Sequence, residues 1–208
     1  FLYGNAQNAN VNSQTINTSG LFNFTGENLR HVDVDIFTLS ASQGVSFVFG
    51  DMSSGLLSIN SINTDGSVFV DASLASNLDI DVENVLAGDA TFTLGSVSNS
   101  SYANNISTIN LDGAFVLDGI EYREKFSTQF ISAQNVTITF GDLSDAFYAS
   151  SITAETFSFN GGDGANLVNV KDGKNDRENI LVAEKYVQAG ILLNSNKNGH
   201  LLLRYWKD

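Results

Sequence analysis

VSFVFG (residues 45–50) and VTITFG (residues 136–141) place three apolar side chains at every second position and then stop at glycine. Successive side chains of a strand point to opposite faces, so such a run reads as a β-strand with one buried face. Val45, Phe47 and Phe49 share that face, with Ser46 and Val48 on the other; Val136, Ile138 and Phe140 repeat the phase, with Thr137 and Thr139 outside. The theme recurs as LFNFTG, ATFTLG, AFVLDG and TFSFNG, and as GSVFVD without the closing glycine. The endpoints Gly26, Gly50, Asp71, Gly95, Gly119, Gly141 and Gly161 follow one another at nearly even intervals along the chain.

A second strand candidate, led by Ile or Leu, precedes most of these segments: INSIN from Ile59, LDIDVENV from Leu78, ISTINL from Ile106, ISAQN from Ile131 and ITAET from Ile152. Each unit therefore reads as strand, turn, strand, turn. One unit cannot bury its own apolar face, whereas stacked units bury a common core and pair each other's edges. An ordinary sandwich would also give frequent short strands, but the even spacing favours a repeat. The expected fold is all-β, an elongated repetitive β-solenoid or intertwined β-fibre with a C-terminal cap. Its body would hold about seven units of about 20–24 residues each, a period typical of solenoids. In LFNFTG and TFSFNG the aromatics fall one residue later in the segment. A one-residue slip turns a strand's apolar set to the other face. That phase difference predicts a bulge, or coils facing alternately their own chain and its neighbours, as in a homotrimer.

Composition supports a paired, uncharged surface. Charged residues are 16% of the 208, apolar residues 42%, and the chain carries 24 Asn, 18 Gly and no Pro. Proline has no N–H to give to a ladder, so its absence fits nearly continuous backbone pairing. With no Cys there is no disulfide framework, thiolate metal site or Cys nucleophile. No run of apolar residues is long enough for a membrane helix. The chain opens at Phe1 with no basic leader, which reads as processing or as a piece of something longer.

Charge divides the chain. Residues 1–170 hold 18 acidic side chains against Arg30, Arg123 and Lys125, while residues 171–208 hold 5 acidic and 7 basic ones. An acidic body repels nucleic acid and anionic membrane, so neither is an expected partner. We divide the chain into an acidic repeat body, 1–170, and a cap or tip, 171–208. In the latter, residues 176–188 suit a short helix or a strand, and residues 191–194 and 201–205 flank an Asn198-Gly199 hairpin turn.

ITAETFSFNGGDGANLVNV (residues 152–170) and ILVAEKYVQAGILLN (residues 180–194) resemble recurrent elements of phage tail fibres. The resemblance covers the stretch from Ile152 to Asp208 well and the earlier repeats in style alone. It implies a homotrimeric fibre of a virion surface whose distal end contacts a host receptor. GGDGANLVN (residues 161–169) is also similar to the calcium-binding nonapeptide of RTX proteins, which implies calcium at Asp163 and Asn166. The Ile-Ser-Thr-Ile-Asn style is similar to bacterial surface-layer solenoids.

Chemistry-bearing candidates are few. His31 precedes Asp33 and Asp35, a conceivable metal or acid–base set, though a solvated strand face accounts for them as well. Asp79, Asp81 and Glu83 alternate with Ile80 and Val82 and read as an acidic outer face. His200, Arg204, Tyr205 and the single Trp, Trp206, could form a glycan-binding tip, or Trp206 could pack an interface. No Walker loop, dinucleotide fingerprint, nucleophile elbow or HExxH occurs. The expected function is a non-enzymatic fibre or spike component of a virion, working through self-association, other assembly proteins and a host surface glycan. The alternatives are a bacterial surface-layer or adhesin solenoid and a glycan-cleaving tailspike. No catalytic residue and no cofactor is assigned, calcium at Asp163 and Asn166 being left open by the RTX-like nonapeptide, and the expected location is the virion surface or the extracellular space.

Overall fold

The computed structural model describes residues 2–97, 104–119, 125–141, 146–160, 166–171 and 189–194. Every regular element among them is a strand. Two long strands come first, β1 (Leu2–Thr18) and β2 (Leu21–Ala41). Each later coil is divided into two: β3 (Gly44–Met52) and β4 (Gly55–Thr64), β5 (Ser67–Ser76) and β6 (Leu78–Ala87), β7 (Asp89–Ser96) and β8 (Asn104–Leu111). β9 (Ala114–Gly119) and β10 (Phe126–Ser132), β11 (Asn135–Phe140) and β12 (Ala146–Thr153), and β13 (Thr156–Asn160) and β14 (Asn166–Lys171) follow, and β15 (Ala189–Asn194) is last.

The odd strands β3 to β13 stack on the first half of β2, and the even strands β4 to β14, then β15, stack on its second half. β2 reaches β3 from Leu21 to Leu29 and β4 from Val32 to Ala41. β1 follows β2 along both halves, from Leu2 opposite Thr25 to Thr18 opposite Ala41. All pairings are parallel and lie within one chain. The protein is a β-solenoid with two walls, and one buried apolar cluster joins them.

Inward positions stack into columns. On the first wall Phe24, Phe47, Val70, Phe92, Leu117, Ile138 and Phe159 are successive partners, and all are buried. On the second, Leu39, Ile62, Val85, Ile109, Ile131 and Ile152 form an equivalent buried column. Aromatics of the first wall contact one another from coil to coil, Phe24 with Phe49 at 5.5 Å between ring centres and Phe92 with Phe115 at 6.2 Å. Towards the C-terminus Phe126 and Phe147 enter the second wall and meet Phe140 and Phe159 across the core.

The expected phase slip does not exist. Phe22 lies opposite Val45 and Phe24 opposite Phe47, so the apolar stripe of LFNFTG is in phase with that of VSFVFG. At the other end Phe157 and Phe159 face Val136 and Ile138. What shifts is the glycine: Gly26 and Gly119 sit level with Phe49 and Phe140, and Gly50 and Gly141 fall one position later. Core packing sets the register, and the glycine marks only the bend after it. An intertwined fibre is therefore not needed to bury these coils.

Bends recur at fixed places in the coil. Two consecutive residues face out at Phe37-Thr38, Asn60-Ser61, Glu83-Asn84 and Ser107-Thr108, which shifts the strand's inward phase by one step before Leu39, Ile62, Val85 and Ile109. A similar doublet occurs at Glu27-Asn28 and Gly50-Asp51. Between the walls the chain turns through Asn8, His31 and Asn77, all at positive φ (52°, 51° and 57°). Asn tolerates that conformation better than most residues. The opposite turn is itself hydrogen-bonded from coil to coil: Gly88 N–H donates to Gly66 C=O at 2.9 Å, Gly113 to Gly88 at 2.8 Å and Gln134 to Gly113 at 2.7 Å.

β15 joins β14 in parallel, Asn166 opposite Ala189, and so adds a rung at the C-terminal end. The helix expected over residues 176–188 and the second hairpin strand at 201–205 lie outside the described residues.

Two glycines test the bends. A Cβ on Gly50 would press on the Glu27 carbonyl of the coil before it, whereas one on Gly20 meets nothing closer than the Thr18 hydroxyl at 3.9 Å. Gly50→Ala is expected to destabilise by ~1–3 kcal/mol, the usual range for forced overpacking. Gly20→Ala is expected to be neutral or to stabilise by ~0.4–1 kcal/mol through the unfolded chain. Urea melts of the two variants measure the contrast.

Candidate functional site

Strands in a sheet lie about 4.8 Å apart, so outward side chains of neighbouring coils also form columns. One runs Asn12, Asp35, Ser58, Asp81, Asn105 and Ser127. In it Asn12 Nδ2 donates to Asp35 and Asn105 Nδ2 to Asp81, each at 3.4 Å. Beside it Asn60 Nδ2 donates to Glu83. Other columns run Asp33, Leu56, Asp79 and Val48, Asp71, Thr93, Asp118. Among the described pairs, no carboxylate faces another on the adjacent coil. Like charges directly opposite one another are destabilising, and this spacing lets an acidic body stack. Asp35, Asp81 and Glu83 lie on the acidic outer face as expected, but Asp79 is buried, at 6% exposure.

A polar concavity lies at the left-handed corner beside His31. Gln7, Asn28, Leu29, Arg30, His31, Asp51 and Ser53 line a groove of about 860 Å³. Three coils contribute to it: Gln7 stacks under Arg30, and Asn28 under Asp51. The Ser54 hydroxyl meets His31 Nδ1 and tethers the ring to the next coil. Leu29 lies at the groove as well, with its side chain buried in the core. The groove thus offers a guanidinium, an imidazole, a carboxylate, two carboxamides and a hydroxyl, a set able to hydrogen-bond a polar ligand. A smaller groove of about 410 Å³ at the opposite turn is lined by Asn17, Ser19, Ser40, Ser42, Asn63, Thr64 and Asp65, among others.

His31 belongs to the larger groove, while Asp33 and Asp35 lie along β2 beyond the corner. Among the described residues no three His, Asp or Glu side chains converge to hold a metal ion. Of the calcium candidates, Asp163 lies outside the described residues, and Asn166 opens β14. The tip candidates His200, Arg204, Tyr205 and Trp206 lie outside the described residues.

Two features escaped the sequence reading. Gln7, Arg30 and Ser53 belong to three successive coils and meet only when those coils are superposed. Asn104 occupies an inward position between Ile80 and Phe126 and is fully buried. Its Oδ1 accepts the Ile80 N–H at 2.7 Å, and its Nδ2 has no partner among the described residues. Comparison with protein-family models, curated proteins and solved structures finds no match.

Two substitutions examine these columns. Ser58→Asp places a third carboxylate between Asp35 and Asp81 and is expected to cost up to ~1 kcal/mol. Added salt screens exposed charges, so melts at low and high salt are expected to converge. Asn104→Asp keeps an acceptor for Ile80 but introduces an ionisable group into the core. Burial raises a carboxyl pKa, so the added cost is absent below the unfolded pKa of ~3.9 and grows as pH rises through the raised folded value. Melts of the variant across that range, compared with the parent, check the sign.

Proposed function

We propose that the chain is a rigid, non-enzymatic length of a fibre or spike, displayed on a virion surface or otherwise outside the cell, that mediates attachment or assembly. The observation that carries this reading is the continuous parallel stack. Each coil adds about 4.8 Å along the axis, so the sequence is converted into length. A sheath of Asn, Ser, Thr and spaced carboxylates supports the reading too, because it keeps an elongated acidic body dissolved and clear of anionic surfaces. The resemblance of residues 152–170 and 180–194 to phage tail fibres favours the virion setting. A bacterial surface-layer or adhesin solenoid would use the same body in the same way. A glycan-cleaving spike is the third reading, with the Arg30 and His31 groove as the place for a sugar.

Contact with a host glycan, docking to other assembly proteins and calcium near Asp163 and Asn166 belong to this proposal. A homotrimer belongs to it on the resemblance alone, since the in-phase core removes its packing motive. Gold-labelled antibody against the chain, imaged by electron microscopy on virions and on cells, tests the setting. Label along virion fibres is the expected result; label in a regular layer on cells supports the adhesin reading, and label inside cells overturns both.

A further inference from the structure

We propose that the groove beside His31 binds an acidic sugar, a hexuronic acid unit of a surface glycan. The proposal rests on the attachment reading above and gives its glycan a chemical class. The groove opens on the side of the stack. Gln7 of β1 lies level with Arg30 of β2, and Ser53 contributes from the next coil. A further coil stacks above, where the Ser76 hydroxyl donates to the Met52 carbonyl at 3.1 Å. Two charges of opposite sign line the groove without pairing. Arg30 and Asp51 are both exposed, and neither side chain has an ion-pair or hydrogen-bond partner among the described residues. On the outer columns, by contrast, Asp35, Asp81 and Glu83 each accept from a neighbouring amide.

The two unclaimed charges select the ligand. A guanidinium only donates, stays charged, and matches a carboxylate with two parallel N–H···O bonds. An ionised carboxyl only accepts, so Asp51 calls for a hydroxyl. A ligand that presents a carboxylate to one and a hydroxyl to the other is an acidic sugar. A small free anion satisfies Arg30 but brings negative charge towards Asp51, and a neutral sugar satisfies Asp51 but leaves Arg30 unmatched. His31 adds a third contact: Ser54 engages its Nδ1, which leaves Nε2 to meet a second hydroxyl. The Gln7 carboxamide both donates and accepts and suits any further hydroxyl. At about 860 Å³ the groove has the size of a small-molecule site. A net charge of −13 repels polyanions, which favours a sugar with one carboxylate over a sulfated or phosphorylated one.

Ligand-observed NMR on the full chain tests the site with methyl glucuronide and methyl galacturonide, their neutral counterparts methyl glucoside and methyl galactoside, and acetate. At least one uronide is expected to bind about ten-fold or more tighter than its neutral counterpart and than acetate, the scale of one charge-assisted bidentate pair. Arg30→Gln is expected to reduce that uronide to the level of the neutral sugar. Arg30→Lys keeps the charge without the fork and is expected to fall between, which keeps the test open if Arg30→Gln fails to fold. Asp51→Ala is expected to weaken the neutral sugar by about three-fold or more and to tighten acetate, because it removes a hydroxyl acceptor and a repelling charge. Lys125→Gln removes the cation beside Tyr148, away from the groove, and is expected to change nothing. Uronides bound no tighter than their neutral counterparts overturn the proposal. So does acetate bound as tightly as a uronide, which makes the groove an anion site only, or a preference that survives Arg30→Gln. A confirmed preference together with antibody label inside cells keeps the site and overturns the attachment reading.

Discussion

Parallel, in-register stacking puts every residue about one strand spacing from its counterpart in the next coil, and the rest of the structure answers to that constraint. Inside, it is favourable: Phe24 on Phe47 or Leu39 on Ile62 extends a column of similar volumes. Outside, the same proximity penalises repetition of charge. An acidic residue repeated at one column would set carboxylates against each other along the whole stack. The chain instead intersperses Asp35 and Asp81 with Asn12, Ser58 and Asn105, and amides donate to the carboxylates they adjoin. The low charged fraction and the Asn-rich composition are two sides of this single arrangement.

The alternation along each strand and the recurrence of the motif once per coil made the class of fold legible, because both follow from burial on one face of a strand. Register was harder to read, because glycine is the more conspicuous marker. Gly26 and Gly50 serve bends at neighbouring positions of the coil, and only the aromatic pair fixes equivalence between coils. β1 was missed for a related reason. Of its inward side chains, Ala9 and Ser13 are small beside their partners Val32 and Ile36 on β2, which interrupts the periodic apolar signal. Asp79 shows the limit in the other direction, since alternation alone could not tell a solvated face from one that other chain covers.

The larger groove shows why a site on a solenoid is nearly invisible in a linear reading. No motif joins Gln7, Arg30 and Ser53; their association is a property of coil superposition. Once the register is known, the corner columns can be read directly, and they single out Arg30 and His31 as a local basic point in an acidic body. The corner's left-handed backbone is shared with Asn8 and Asn77, so the conformation of His31 belongs to the coil's geometry before it belongs to any ligand.

Coil length varies without disturbing alignment: Ala90 faces Phe115 and Phe115 faces Val136, a longer step along the chain followed by a shorter one. The columns continue across both steps. For the gene, this makes one coil a heritable module. A recombination event that joins equivalent columns of two coils removes or duplicates a rung and leaves a sound interior on both sides of the join. One that joins unequal columns turns an apolar stripe to solvent. A change of length by whole coils therefore leaves the packing rules alone, while a change by part of a coil does not.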